Sequence, residues 1–199
     1  MTVLDARRGR PRNPEADRAI IEATLELVAE EGIGALSVES VAVRAGVGKA
    51  TIYRRWPSKE ALVLDALTSL NDELPPVPTA GSLRDRMVEM VDAIRCKSMD
   101  TVSGRIMPRM LSYGVCHPEL FQIYYDRVLD PRRERFRVVL RGGIAAGELK
   151  AEADIDFLVT LFSAPMIYMN LTGARPTRET TEALVDAVLY GVSAPASGS

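Results

Sequence analysis

The sequence predicts an all-α fold of about nine helices, and three observations carry that expectation. Apolar residues recur at three- and four-residue spacing along most of the 199 residues, with no sustained alternation of the kind a strand shows. Capping residues precede these periodic segments and glycine follows several of them. A 47% hydrophobic content with both charge signs mixed describes a globular chain with a core of its own.

Taken in order, residues 1–12 form a basic flexible arm. Asn13-Pro14 supplies a cap and a first-turn proline, after which Ile20, Ala23, Leu27 and Val28 define a first helix up to Gly32. Ser37 caps a second helix with Val38, Val41, Ala42 and Ala45 on one face, ending at Gly46. A short third helix covers Lys49–Arg55. Pro57 then breaks the chain, and Ser58 caps a fourth helix through Leu62, Leu64 and Leu67 to about Leu70. The stretch Glu73–Ser82, with Pro75, Pro76, Pro78 and Gly81, reads as a linker. Beyond it, helices are expected at Leu83–Met99, Gly104–Val115 and Pro118–Gly147, the last kinked or split at Asp130-Pro131. Ile155–Thr172, kinked at Pro165, and Arg178–Tyr190 complete the set, and residues 194–199 form a disordered tail.

Composition excludes several classes of function. No apolar run approaches the ~18 residues of a spanning helix, and no apolar segment follows the arginine-rich start, so a cytoplasmic location is expected. One histidine and two cysteines without a CxxC spacing give no basis for a metal site, and no cofactor is indicated. Net charge is −2, yet Arg44–Lys59 holds Arg44, Lys49, Arg54, Arg55 and Lys59 without one acid. Such a cluster is either a solvated surface run or a face for a polyanion.

The local pattern favours the polyanion. Gly46 can take the left-handed conformation that reverses the chain, Val47 plugs the angle, and small Ala42 and Ala45 let two helices approach. Ile52 anchors the second of them inward, while Lys49, Ala50, Thr51, Tyr53 and Arg54 point outward. This is the arrangement of a DNA-binding helix-turn-helix, whose second helix enters the major groove. Lys49 can reach guanine or phosphate oxygens, Thr51 a base edge or a phosphate, and Tyr53 a phosphate. Lys59, opening the fourth helix, is a further phosphate candidate. Trp56 is expected as a wedge against the first helix, with DNA contact as the alternative.

Across Ile21–Leu64 the chain resembles the DNA-binding domain of TetR/AcrR-family transcriptional regulators. The matching run is Ala23, Gly32, Ser37-Val38, Val41-Ala42, Ala45-Gly46-Val47, Thr51-Ile52-Tyr53, Trp56-Pro57-Ser58-Lys59 and Leu62. One departure is Gly48 where the family often has serine or threonine. The resemblance implies a homodimer that binds double-stranded operator DNA and an unknown, largely apolar small-molecule effector. It divides the chain into the arm 1–12, a helix-turn-helix domain 13–60, a connecting helix and linker 61–81, and an effector and dimerisation domain 82–193. The DNA-contact set becomes Ser37, Arg44, Gly48, Lys49, Ala50, Thr51, Tyr53, Arg54 and Lys59, with Arg8 and Arg10 of the arm. That arm, RRGRPR, is either an A·T minor-groove reader or a plain basic tail.

Under the same resemblance the later helices enclose a ligand cavity, with Met87, Met90, Met110, Tyr113, His117, Phe121, Tyr124, Phe162 and Met166 as candidate lining, against ordinary core as the alternative. Leu158, Leu161, Pro165, Met169, Leu184 and Val188 of the last two helices would form a four-helix dimer interface. The function expected is that of a ligand-responsive regulator, a repressor on a pseudo-palindromic operator, and not an enzyme. The other classes weighed are an enzyme or small-molecule-binding protein using the helical domain, and a helix-turn-helix module for protein interaction. No nucleophile–base pair or phosphate loop supports an enzyme, and the acid-free Arg44–Lys59 run speaks against a purely protein-binding role.

Overall fold

The computed structural model describes residues 14–72 and 74–191, and among these no strand forms. The arm with Arg8 and Arg10, the Asn13 cap and the 194–199 tail lie outside the described residues. Helices α1 (Pro14–Glu31), α2 (Val38–Arg44), α3 (Lys49–Tyr53) and α4 (Lys59–Ser69) precede the proline-rich linker. Helices α5 (Leu83–Asp100), α6 (Val102–Cys116), α7 (Pro118–Tyr124), α8 (Asp130–Ala145), α9 (Ile155–Thr172) and α10 (Arg178–Tyr190) follow it. A π-helical turn, Tyr125–Leu129, joins α7 to α8 into one continuous rod.

Local chemistry sets the boundaries. Ser37 and Thr177 form reciprocal capping boxes with Ser40 and Thr180, and the Ser58 hydroxyl accepts from the Ala61 amide at 3.1 Å. Gly46 has φ 65°, with its amide donating to the Val43 carbonyl and the Val47 amide to that of Ala42. These two bonds complete a Schellman stop that an L-residue would strain.

Two apolar cores result. The first joins Ile20, Leu27 and Val28 of α1, Val41 of α2, Ile52 of α3 and Leu62 and Leu67 of α4. It continues into Ile106 and Met110 of α6, Tyr124 of α7 and Val128 of the π turn, so the front four helices rest on segments far along the chain. Each fully buried Leu or Ile there contributes about 1.5–3 kcal/mol by leaving water. The second core joins Leu83, Met87 and Val91 of α5, Phe136 and Leu140 of α8, Val159 and Phe162 of α9 and Val185 of α10. Ion pairs on its margin fix helix register: Arg84 grips Asp186 through two bonds of 2.6 and 2.8 Å, and Arg137 pairs with Asp130 and Asp156 at 2.8 Å each.

The prolines leave distinct marks on the helices that carry them. The break expected at Asp130-Pro131 takes the form of the π turn immediately before it, with the rod continuing. Pro131 cannot donate to the Arg127 carbonyl; the Asn71 amide does so instead at 2.9 Å, while Arg132 Nε donates to Asn71 Oδ1 at 2.9 Å. The end of α4 is thereby bracketed onto the rod. Helices α6 and α9 each continue through an internal proline, Pro108 and Pro165.

Candidate nucleic-acid interface

The geometry of α3 follows from what it buries. Ile52 is 1% exposed and packs into the first core with Val41 and Ala42 of α2. With that residue inward, Gly48, Lys49, Ala50, Tyr53 and Arg54 are exposed and Thr51 half-buried, so six of the sequence-derived residues share one surface. Trp56 belongs to the core, and its indole N–H donates to Asp65 Oδ2 at 2.9 Å. The wedge reading therefore fits its surroundings.

The cations of this region are less alike than their count implies. Lys49 Nζ lies 2.7 Å from Glu39 Oε1, which holds the Glu39 carboxyl below its usual range and the lysine above its own. Arg44 bonds Glu30 at 2.8 Å and faces Glu26 at 3.7 Å. Arg55, a half-buried residue, ties α3 to α1 through Asp17 and donates to the Thr51 carbonyl. Lys59 Nζ donates to the Ile33 and Leu36 carbonyls at 3.3 and 3.2 Å, closing the α1–α2 turn onto the start of α4. Among the described residues Arg54 is exposed with no carboxylate in ion-pair distance. The acids Glu26, Glu30 and Glu39 come from α1 and α2, so the run Arg44–Lys59 could not reveal them.

Ser37 spends its hydroxyl on capping α2. Gly48 is the N-cap of α3 at φ −76°, ψ 145°, an ordinary extended conformation, and a Cβ there would meet nothing within 4 Å. Neither backbone nor packing demands glycine at this position.

The nine candidate ligand residues do not converge on one cavity. Met87, Met90, Phe162 and Met166 are in the second core, whereas Met110 and Tyr124 are in the first, with Tyr113 and Phe121 packed against it. His117 stacks on Tyr113 at 4.2 Å, and burial pushes the Tyr124 hydroxyl up to about 12. Met110, Tyr113 and Tyr124 border a cavity of about 140 Å³ beside α4. A larger one, about 660 Å³, lies between the linker, α5 and α8, and includes Met90 alone of the nine. Its Arg132 and Arg135 escaped sequence reasoning, although PRRER at the start of α8 was a visible signal.

Of the dimer candidates, Leu158, Met169, Leu184 and Val188 pack against the second core. The apolar side chains that α9 turns outward are Phe157, Leu161, Tyr168 and Leu171, 58%, 36%, 68% and 54% exposed. With Ala164 they recur at four- and three-residue spacing along one stripe.

Residues 20–66 match the family described as bacterial regulatory proteins, tetR family, and residues 77–188 match the tetracyclin repressor-like C-terminal domain. The chain is 31% identical over 193 residues to the HTH-type transcriptional regulator YdeS of Bacillus subtilis, covering 96% of each chain. Its fold superimposes on the TetR family transcription regulator SCO0332 with a TM-score of 0.71 and 27% identity, covering 90% of this chain and 100% of the other. The transcriptional regulator FadR of Bacillus subtilis, in complex with stearoyl-CoA, shares the fold at TM-score 0.69 and 16% identity, with 88% and 99% covered. These families and relatives are transcriptional regulators, not enzymes. Among the described residues no helix is long and apolar enough to cross a membrane.

Proposed function

The chain belongs to the TetR family of DNA-binding transcriptional regulators, and from that premise we propose that it is a cytoplasmic, homodimeric, effector-controlled repressor of a pseudo-palindromic operator. The observation that carries this reading is the surface of α3, where a buried Ile52 leaves Lys49, Ala50, Tyr53 and Arg54 facing solvent. Residues 13–60 serve as the DNA-binding domain and 82–193 as the effector and dimer domain, joined by 61–81. Lys49 and Thr51 read bases, and Tyr53 and Arg54 hold phosphates, with Arg8 and Arg10 of the arm adding sequence-independent affinity. Lys49 exchanges Glu39 for DNA, so Glu39 penalises any site that offers the lysine nothing better.

Lys59 and Ser37 position the reading head, through the α1–α2 turn and the α2 cap respectively. Two copies meet through the α9 stripe of Phe157, Leu161, Ala164, Tyr168 and Leu171, with α10 alongside. Their α3 helices then address successive major grooves about one helical turn apart. An effector bound in the C-terminal domain shifts the dimer only by its differential affinity for the DNA-competent and DNA-incompetent states.

Fluorescence anisotropy with DNA from upstream of the protein's own gene tests this. Sequence-selective binding, with affinity falling steeply as salt rises, is expected. Equal affinity for that DNA and a scrambled duplex would overturn the regulatory reading.

A further inference from the structure

The linker roofs the 660 Å³ cavity, which is floored by Met90, Ala93 and Ile94 of α5 and Phe136 of α8. Its volume falls within the ~300–1,000 Å³ common to small-molecule sites. Most of the lining is apolar; Glu89, Arg132 and Arg135 are its charged members, and Arg135 bonds the roof. Its guanidinium donates to the Pro75 carbonyl of the roof, and among the described residues no carboxylate stands within ion-pair distance of it. Elsewhere on α8 the chain does supply acids: Arg137 has Asp130, Glu134 and Asp156, and Arg141 has Glu134. Burial pulls the Arg135 guanidinium below its usual range, as expected of a cation held without a counter-ion. A guanidinium placed so against an apolar cavity is matched by an anion carrying an apolar body.

We propose that this linker cavity is the effector site and that it takes an amphipathic carboxylate, its head on Arg135 and its aliphatic part against Met90, Ala93, Ile94 and Phe136. The effector role rests on the regulatory reading above; the binding site does not. A carboxylate competes with the Pro75 carbonyl for Arg135, offering a full opposite charge and two oxygens in place of one neutral carbonyl. Occupation therefore loosens the roof. The roof begins at Leu74, whose amide donates to the carbonyl of Asn71, which is bracketed to Arg127 and Arg132, and α4 leads from there to Lys59 under the α1–α2 turn. By this chain of bonds ligand state reaches the reading head.

Calorimetry on the full-length protein, without DNA, tests the site using decanoate and hexanoate below their micellar concentrations, with 1-decanol and decyltrimethylammonium as head-group controls. At least one carboxylate should bind at about one per chain, and decanol about tenfold more weakly, because a neutral hydroxyl replaces the anionic partner of Arg135. Arg135→Gln should bring the carboxylate down to the alcohol, Arg141→Gln should change nothing, and Ala93→Phe should abolish both by filling the cavity. Thermal melts identify variants that fail to fold, and for those the wild-type head-group ranking decides. Binding of neither carboxylate, a preference for the ammonium, or unchanged binding by folded Arg135→Gln or Ala93→Phe overturns the site.

Anisotropy with upstream DNA then reads the effector role. Carboxylate should shift the DNA affinity of wild type and not of Arg135→Gln, and no shift in wild type overturns that role. Protein that binds no DNA selectively refutes the regulatory reading, while the calorimetry still decides the carboxylate site.

Discussion

The front four helices and the six that follow differ in what their most prominent ion pairs do. In α1–α4 the acids sit beside cations that DNA would claim: Glu39 beside Lys49, Glu30 beside Arg44. These pairs are exposed, and exposed pairs, screened by water, add little to stability. They are exchangeable. In α5–α10 the longest-range pairs span helices and fix register, as Arg84 with Asp186 does across 102 positions of chain. Arg135, by contrast, faces the linker cavity with the Pro75 carbonyl as its partner. Where charge is exchangeable or unmatched, a partner is expected; where it is saturated, the role is architectural.

The largest effects should separate folding from function. Ile52→Ala removes the anchor of α3 and should cost about 2–5 kcal/mol of stability, seen as a lowered melting temperature, with DNA binding lost as well. Arg54→Ala should leave the melting temperature unchanged and weaken DNA binding across all sequences. Equal stability losses in the two would erase the distinction between anchor and contact.

Next in size is Tyr168→Arg, which puts a charge in the middle of the α9 stripe. Sedimentation should show monomer where wild type shows dimer, with the helical spectrum retained. A dimer that survives would move the interface away from α9.

Smaller is Glu39→Gln, which frees Lys49. DNA affinity should rise no more than a few-fold, since an exposed pair is weak, and selectivity should fall. Weaker binding would mean that the acid organises the site instead of competing for its lysine.

Acid should act on the register pairs. Arg84 holds the Asp186 carboxyl below its usual range, and Arg137 does the same for Asp156. A depressed carboxylate stabilises the fold above the unfolded value of about 4 and loses that contribution as pH falls through the folded one. Melting temperature should thus drop between about pH 4 and pH 2, and less so in Asp186→Asn. The smallest expected effect is Gly48→Ser, a gain of a few tenths of a kcal/mol by adding a side-chain cap to α3.

Much of the front end was legible because its determinants are close in sequence. The Gly46 turn, the Ser37 and Ser58 caps and the inward Ile52 each follow from a few neighbouring residues. Even there, the true state of Lys49, Arg44 and Lys59 depended on partners from α1, α2 and the turn between them, which a linear charge count does not see. The later helices were legible as helices but not as surfaces. Leu184 and Val188 have the same character as the outward Leu161 and Leu171, and only the packing of α9 and α10 against α5 and α8 decides which face is turned out. The linker cavity was hidden for the same reason: prolines 75, 76 and 78 read as a spacer, and Arg135 meets them across sixty positions.

The most direct test is selection of DNA from a randomised library by wild type and by Lys49→Ala and Thr51→Ala. Wild type should enrich one pseudo-palindromic motif. The variants, with unchanged melting temperatures, should relax it at one or two positions in each half-site, by about 1–3 kcal/mol per lost base contact. An identical motif from all three proteins would contradict the placement of α3 as the reading helix.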